Sequence, residues 1–379
     1  MINRELIPPI IRTICLIILV ASSTAGQTPI DIQPRATFVI RNARIVTVSG
    51  PVIDNGVVVI RDGKIDSVGA NTNVTNVPSG AQEIDARGLV VYPGMIDLGT
   101  SIGLNEIGSV GATVDSNEIG EFNPNARVAV ALNPYSSHIR VTRFNGVTNA
   151  LSLPGGGIIS GQAAFVNLWG TAPSEMAVIP GAALVIDYPK LSASRGFAFG
   201  PAPPVNLAQA KKTRDEQVDR LRKILLDASA YTKAQKAYAA DNKLPRPERN
   251  VVLDGLVPYL DGTRPVIFRV TRAADIKSAL DFAQELKLSP VILGGNEAFK
   301  LIDLIKSRKV PVIFTGTWDL PRLEDDAYDS LYETPAQLAK AGAQFCISTG
   351  DGGAQVRDLP YHAGMAAAYG LAHDEALKA

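Results

Sequence analysis

Histidine and cysteine are scarce in this chain, which has 3 His and 2 Cys among 379 residues. That scarcity excludes a zinc finger and a disulfide scaffold, both of which need these residues in spaced groups. Charge of one sign is also lacking: Lys+Arg 37 stand against Asp+Glu 37, a formal net charge of +0. No basic field is available to gather nucleic acid or anionic lipid, which argues against a nucleic-acid partner. What remains is 46% hydrophobic and 20% charged residues with 33 Gly and 25 Pro. This is ordinary globular composition, long enough for two domains.

The N-terminus has the pattern of an export signal. Arg4 and Arg12 precede the apolar run 14–20, and small residues follow from Ala21 to Gly26. The run is shorter than the roughly 20 residues a spanning helix needs, and Pro8-Pro9 breaks any longer one. An uncleaved anchor is the other reading. Cys15 follows Arg12-Thr13-Ile14 and so lacks the apolar residue three positions upstream that lipidation requires. Residues 1–25 are assigned as signal peptide, with cleavage near Ala25 and a periplasmic destination. Cys346 is then the one thiol left, and it cannot form an internal disulfide.

Residues 38–48 are rich in β-branched residues, and the runs 57–61 and 64–68 flank Asp62-Gly63, a two-residue signal for a type I′ hairpin. Asn55-Gly56 suggests a similar turn one strand earlier. A small β-meander over 36–90 is expected. From Leu89 the texture changes to apolar runs alternating with helical patterns. Strands are expected at 89–96, 146–151, 265–270, 290–293, 310–314 and 344–348, and helices at 273–286, 296–308 and 334–341. That alternation predicts an α/β fold with a parallel sheet, and the residues after 90 suffice for a TIM-like (β/α)8 barrel of about 250 residues. The charged stretch 206–244 reads as a solvated helical insertion within a barrel domain 91–379.

The segment Ile84-Asp85-Ala86-Arg87-Gly88-Leu89-Val90-Val91-Tyr92-Pro93-Gly94-Met95-Ile96-Asp97 resembles the barrel entry of the amidohydrolase superfamily, especially its imidazolonepropionase-like branch. Gly146-Val147-Thr148 is similar to the start of the second barrel strand. Gly350-Asp351 stands where the eighth strand ends, and residues 362–371 are similar to the helix after it. The resemblance implies a barrel preceded by half of a β-sandwich, with one or two divalent metals, such as zinc, activating water against a C–N bond of a cyclic amide, dipeptide or related compound. It also implies further strands after the C-terminal helix. Their absence from this sequence is expected to mark a fragment, an early stop, or strands supplied by another chain.

The metal ligands that the resemblance implies are not in place. A His-x-His pair should follow the Pro-Gly-x-Ile-Asp segment, because residues two apart on a strand point the same way; those positions are Gly99 and Ser101. The strand-five and strand-six histidine positions fall on Arg269 and Gly294, and a guanidinium has no lone pair to give. The strand-four ligand has no evident counterpart. No metal ligand is therefore assigned and no cofactor is expected with confidence, which leaves Asp351 as the catalytic candidate. Arg269 and His362 are candidate substrate-binding residues, with an internal pair to Asp351 or another barrel acid as the other reading of Arg269. So are Gly155, Gly156 and Gly157, whose loop after a strand could cradle an anion, against a plain tight loop.

The other candidates are bland. His138 and His373 read as surface residues, Trp318-Asp319 as loop packing, and Glu106, Glu118 and Glu121 as general bases without a legible partner. The expectation is thus an amidohydrolase-like hydrolase of C–N bonds with a degenerate metal site. Its alternative is a non-catalytic exported barrel that binds a small anionic ligand or pairs, as a homo- or hetero-oligomer, with a related amidohydrolase. A truncated product without stable function is the third reading.

Overall fold

The computed structural model describes residues 37–74, 79–191, 206–321, 323 and 325–379. Residues 1–25, where an export signal is expected, lie outside them. The chain divides into two units, Met1–Pro93 and Gly94–Ala379.

The first unit is a five-stranded sheet of β1 (Phe38–Ile45), β2 (Ile53–Arg61), β3 (Lys64–Ala70), β4 (Gln82–Asp85) and β5 (Val90–Val91). Strand β1 pairs antiparallel with β2, and β2 with β3, but β4 and β5 both run parallel to β1. The expected meander is therefore a mixed sheet: after β3 the chain crosses to the far edge of β1 instead of turning back beside β3. The hairpin at Asp62-Gly63 has φ of 53° and 74°, the paired left-handed conformation that its type demands. Asn55-Gly56 makes no turn. Both residues lie inside β2, and a Cβ on Gly56 would come within 2.3 Å of Ile45 Cδ1. Glycine is needed there for close packing beside β1, where the register shifts around Ala43.

The second unit holds an eight-stranded sheet in sequence order: β6 (Met95–Thr100), β7 (Val147–Ser152), β8 (Ile159–Asn167), β9 (Ala177–Asp187), β10 (Pro265–Val270), β11 (Ser289–Gly294), β12 (Val312–Phe314) and β13 (Phe345–Ile347). Every strand except β8 runs in one direction. The sheet curls until its first and last strands meet: Thr100 Oγ1 donates to Asp351 O at 2.7 Å and Ser348 Oγ to Asp97 Oδ1 at 2.5 Å. Inside the curl, Leu151, Ala163, Ala183, Val185, Ile267, Leu293 and Ile313 pack together.

Regular (β/α)8 alternation does not hold throughout. A parallel crossover needs a dozen or more residues, but the loop after β7 reverses at once through Gly156 and Gly157, with φ of 76° and 66°. The chain returns as the antiparallel β8 and then β9, two strands that the sequence pattern did not disclose. The expected strand 89–96 is likewise divided at Pro93-Gly94: Val90–Val91 pairs with β1 and Met95 opens the barrel.

From β10 onward, helices Ala273–Glu285, Ile302–Ser307, Ser330–Ala341 and Leu359–Ala368 follow successive strands, with His373–Lys378 last. The charged insertion forms one helix, Leu207–Ala240, capped by Asn206, whose side chain accepts from Gln209 N at 3.0 Å. It is not wholly solvated. Val218, Leu221, Leu225, Ala228 and Tyr231 form a buried stripe at three- and four-residue spacing, and the first four join the core around Ile186 and Phe268.

Candidate binding cavity at the barrel mouth

The parallel strands end around a cavity of about 380 Å³. All of them but β9 contribute where the backbone leaves the ladder: Gly99 from β6 and Ser101 just after it, Gly155 after β7, Arg269 from β10, Gly294 from β11, Asp319 after β12 and Asp351 after β13. Positions far apart in sequence converge because all these strands point the same way.

Arg269 is the cation of this wall. Its Nη2 donates to Pro154 O at 3.1 Å, and Nη1 lies 4.0 Å from Asp187 Oδ2 at the end of β9. Burial pulls the guanidinium pKa below its ordinary value, and the Asp187 carboxylate opposes that pull. A guanidinium has five N–H donors, so these two contacts leave donors for a ligand.

Opposite charge comes from two carboxylates. Asp351 Oδ1 accepts from Gly353 N at 2.8 Å, while its main-chain oxygen holds Thr100. Asp319 Oδ2 accepts from Nδ2 of Asn296 at 2.7 Å, and Asn296 is 3% exposed. Neither aspartate has an ion-pair partner among the described residues.

The residues present do not fit a divalent metal. Position 99 carries no ligand atom, and a Cβ there would stand 2.5 Å from Ser348 Oγ and 3.0 Å from Leu293 Cδ1, so that those side chains would have to shift. Ser101 Oγ is directed to Gly352 O at 3.5 Å. Gly294 has φ of 102° and Val270 O would lie 2.9 Å from a Cβ there. Arg269 brings a positive charge to the same cavity lining. Among the described residues no group of three or more His, Cys, Asp or Glu is arranged to hold an ion.

Asp97, two residues before the lining residue Gly99, is fully buried and held by neutral donors. Gly99 N and Ser348 Oγ reach Oδ1 at 3.0 and 2.5 Å, and Thr349 N and Oγ1 reach Oδ2 at 3.2 and 2.6 Å. Four hydrogen bonds offset its desolvation without a cation.

The remaining candidates separate. His362 is 4% exposed and does not line the cavity; its Nδ1 lies 2.5 Å from Thr317 Oγ1 and its ring stacks on Trp318 at 4.1 Å. Burial draws its pKa down, against the carboxylates of Asp97, Asp358, Asp319 and Asp351. Gly155 lines the cavity but its N–H is taken by Ser116 O at 2.7 Å, and Ile158 N by Glu121 O at 2.7 Å. Gly156 and Gly157 stand outside the lining, and a Cβ on Gly157 would come within 2.7 Å of Gly120 O. The loop is thus braced against its neighbour and is not arranged as an anion cradle.

Glu121 is clamped by Arg220 through bonds of 3.0 and 2.7 Å, and Glu106 accepts from Asn133 at 3.3 Å. Glu118 does not line the cavity. His138 Nε2 meets Glu106 O at 2.9 Å, and His373 is exposed. Sequence reasoning passed over Asp187, Asn296 and the buried role of Asp97. Asp187 ends a strand with no sequence signal, and Asp97 stood in plain view two residues before Gly99.

Compared with models of known protein families, the chain matches none. Over 112 residues it is 30% identical to the amidohydrolase tasK of Hapsidospora irregularis, a match spanning 29% of this chain and 11% of that protein's length. An amidohydrolase from Thermotoga maritima MSB8 superposes with a TM-score of 0.76 at 22% identity, over 90% of this chain and 85% of that one. The Aspergillus niger ochratoxinase aligns over 91% of this chain and 82% of its own at 13% identity, with a TM-score of 0.45, too low to carry an argument. What these likenesses establish is the fold: the chain folds as the Thermotoga amidohydrolase does.

Proposed function

We propose that this chain belongs to the amidohydrolase superfamily, among hydrolases of C–N bonds other than peptide bonds and in the imidazolonepropionase-like branch, with a metal site that has lost its ligands. Its mouth cavity binds a small carboxylate-bearing molecule. The shared fold, the 112-residue likeness and the Pro93-Gly94-Met95-Ile96-Asp97 entry support the family. One observation carries the ligand: Arg269 faces the cavity, and among the described residues its one carboxylate partner lies 4.0 Å away. A carboxylate accepting two N–H bonds from the guanidinium is a stronger match than that distant pair.

Catalysis by Asp351 is a second reading, favoured by one feature. Its Oδ2 accepts no bond from the described residues and the side chain lines the same cavity. In that role Asp351 takes a proton from water while Arg269 orients the substrate carboxylate. Export through residues 1–25, and pairing with a second amidohydrolase-like chain, complete the proposal.

The test is calorimetric titration with butyrate, alongside hydrolysis assays on N-acyl amino acids and cyclic amides. Arg269→Ala should weaken butyrate binding about tenfold or more, as loss of a charge-assisted bond predicts, and Asp351→Asn should leave it intact. Turnover by the wild type that Asp351→Asn abolishes would establish the second reading. Equal tolerance of both changes, with no turnover, would sink both.

A further inference from the structure

Resting on the reading of Arg269 as a carboxylate clamp, we infer that the ligand also carries an amino group, received by Asp319 and Asp351, so that the cavity recognises an amino acid-like zwitterion. The cavity lining has one cation and two carboxylates, and among the described residues neither carboxylate has an ion-pair partner. Among the same residues the Asp351 side chain accepts through Oδ1, from a main-chain amide at 2.8 Å, and that of Asp319 through Oδ2, from the amide of Asn296. Each leaves an acceptor oxygen on a residue that lines the cavity.

Asn296 makes this arrangement specific. It is buried to 3% exposure, follows β11, and fixes a carboxylate contributed by the next strand's loop. Arg269 makes its contacts with Pro154 O and Asp187 and forms no ion pair with Asp319 or Asp351. A bound divalent ion would need donors from β6 and β11, where Gly99 and Gly294 offer none. An ammonium differs from a metal here: it donates its own hydrogen bonds and asks only for acceptors. About 380 Å³ is room enough for an amino acid or a short derivative.

The experiment is titration calorimetry of the protein with ω-amino carboxylates from glycine to ε-aminocaproate, each beside its amine-free carboxylate. At the best chain length the amino compound should bind about tenfold or more tightly than its partner, the usual gain from a charge-assisted bond. Asp319→Asn, which keeps an acceptor for Asn296, should remove most of that difference without weakening the plain carboxylate, and Asp351→Asn should do likewise. Arg269→Ala should weaken both compounds. If the amine gives no advantage at any length while Arg269→Ala still weakens carboxylates, the zwitterion inference falls and the carboxylate site stands. If no carboxylate binds the wild type, both fall.

Discussion

Ser348 Oγ donates to Asp97 Oδ1 across 2.5 Å, joining residues 251 apart in sequence. Asp97 lies on the first barrel strand and Ser348 just beyond the last, a seam where the sheet order itself ends. The buried carboxylate acts there as a staple, and its other oxygen takes both the amide and the hydroxyl of Thr349. Asp97→Ala leaves these donors without a partner and should destabilise the fold by about 3 kcal/mol or more, whereas Ser348→Ala should cost about 1 kcal/mol. Urea unfolding monitored by circular dichroism measures both, and an Asp97→Ala loss no greater than that of Ser348→Ala would contradict the staple.

The charged insertion should behave as part of the barrel. Leu221 is fully buried among core residues, so Leu221→Ala should cost about 2–5 kcal/mol in the same denaturation assay. A surface insertion would give a change near zero.

Cys346 should be inert in the folded chain. Burial, with Asp97 nearby, pushes its thiol pKa up to about 12, and only the thiolate is nucleophilic. In the protein without residues 1–25, iodoacetamide at neutral pH should modify no cysteine until denaturant is added. Rapid labelling of the folded protein, read by mass spectrometry, would show that the lower barrel opens.

His362 gives the stability a pH dependence of known sign. Its folded pKa lies below the ordinary 6.5, chiefly through burial, so the unfolded chain binds the proton more readily. Stability is fully present above about 6.5 and declines as pH falls from there through the folded value. His362→Gln should flatten that part of the curve, in unfolding free energies measured across the interval. An unchanged slope would assign the dependence to other groups.

Dialysis against dilute zinc and manganese, then mass spectrometry of the signal-free chain, should find no stoichiometric ion. The reason is the donor set, with glycines at 99 and 294 and a guanidinium at 269. One tightly held ion per chain would overturn this account and redirect attention to Asp351 and Asp97.

The amino-acid sequence by itself determined whatever depends on neighbouring residues. Asp62-Gly63 marks its hairpin because two left-handed residues in succession suit few others. The βα alternation from β10 onward follows from hydrophobic periodicity, and the residue types at 99, 101, 269 and 294 could be read directly from the sequence. Tertiary structure alone decided the rest. Nothing local distinguishes the run that becomes β8 from a helix-bound segment, since its direction is set by a glycine turn and by its neighbours. The long charged helix hides its function in sequence because its buried stripe is narrow and acquires meaning only against Ile186 and Phe268. Closure is the clearest case: Asp97 meets Ser348, and Arg269 shares a cavity with Asp319 and Asp351, because a curled sheet brings its ends together, a long-range contact that no spacing rule encodes.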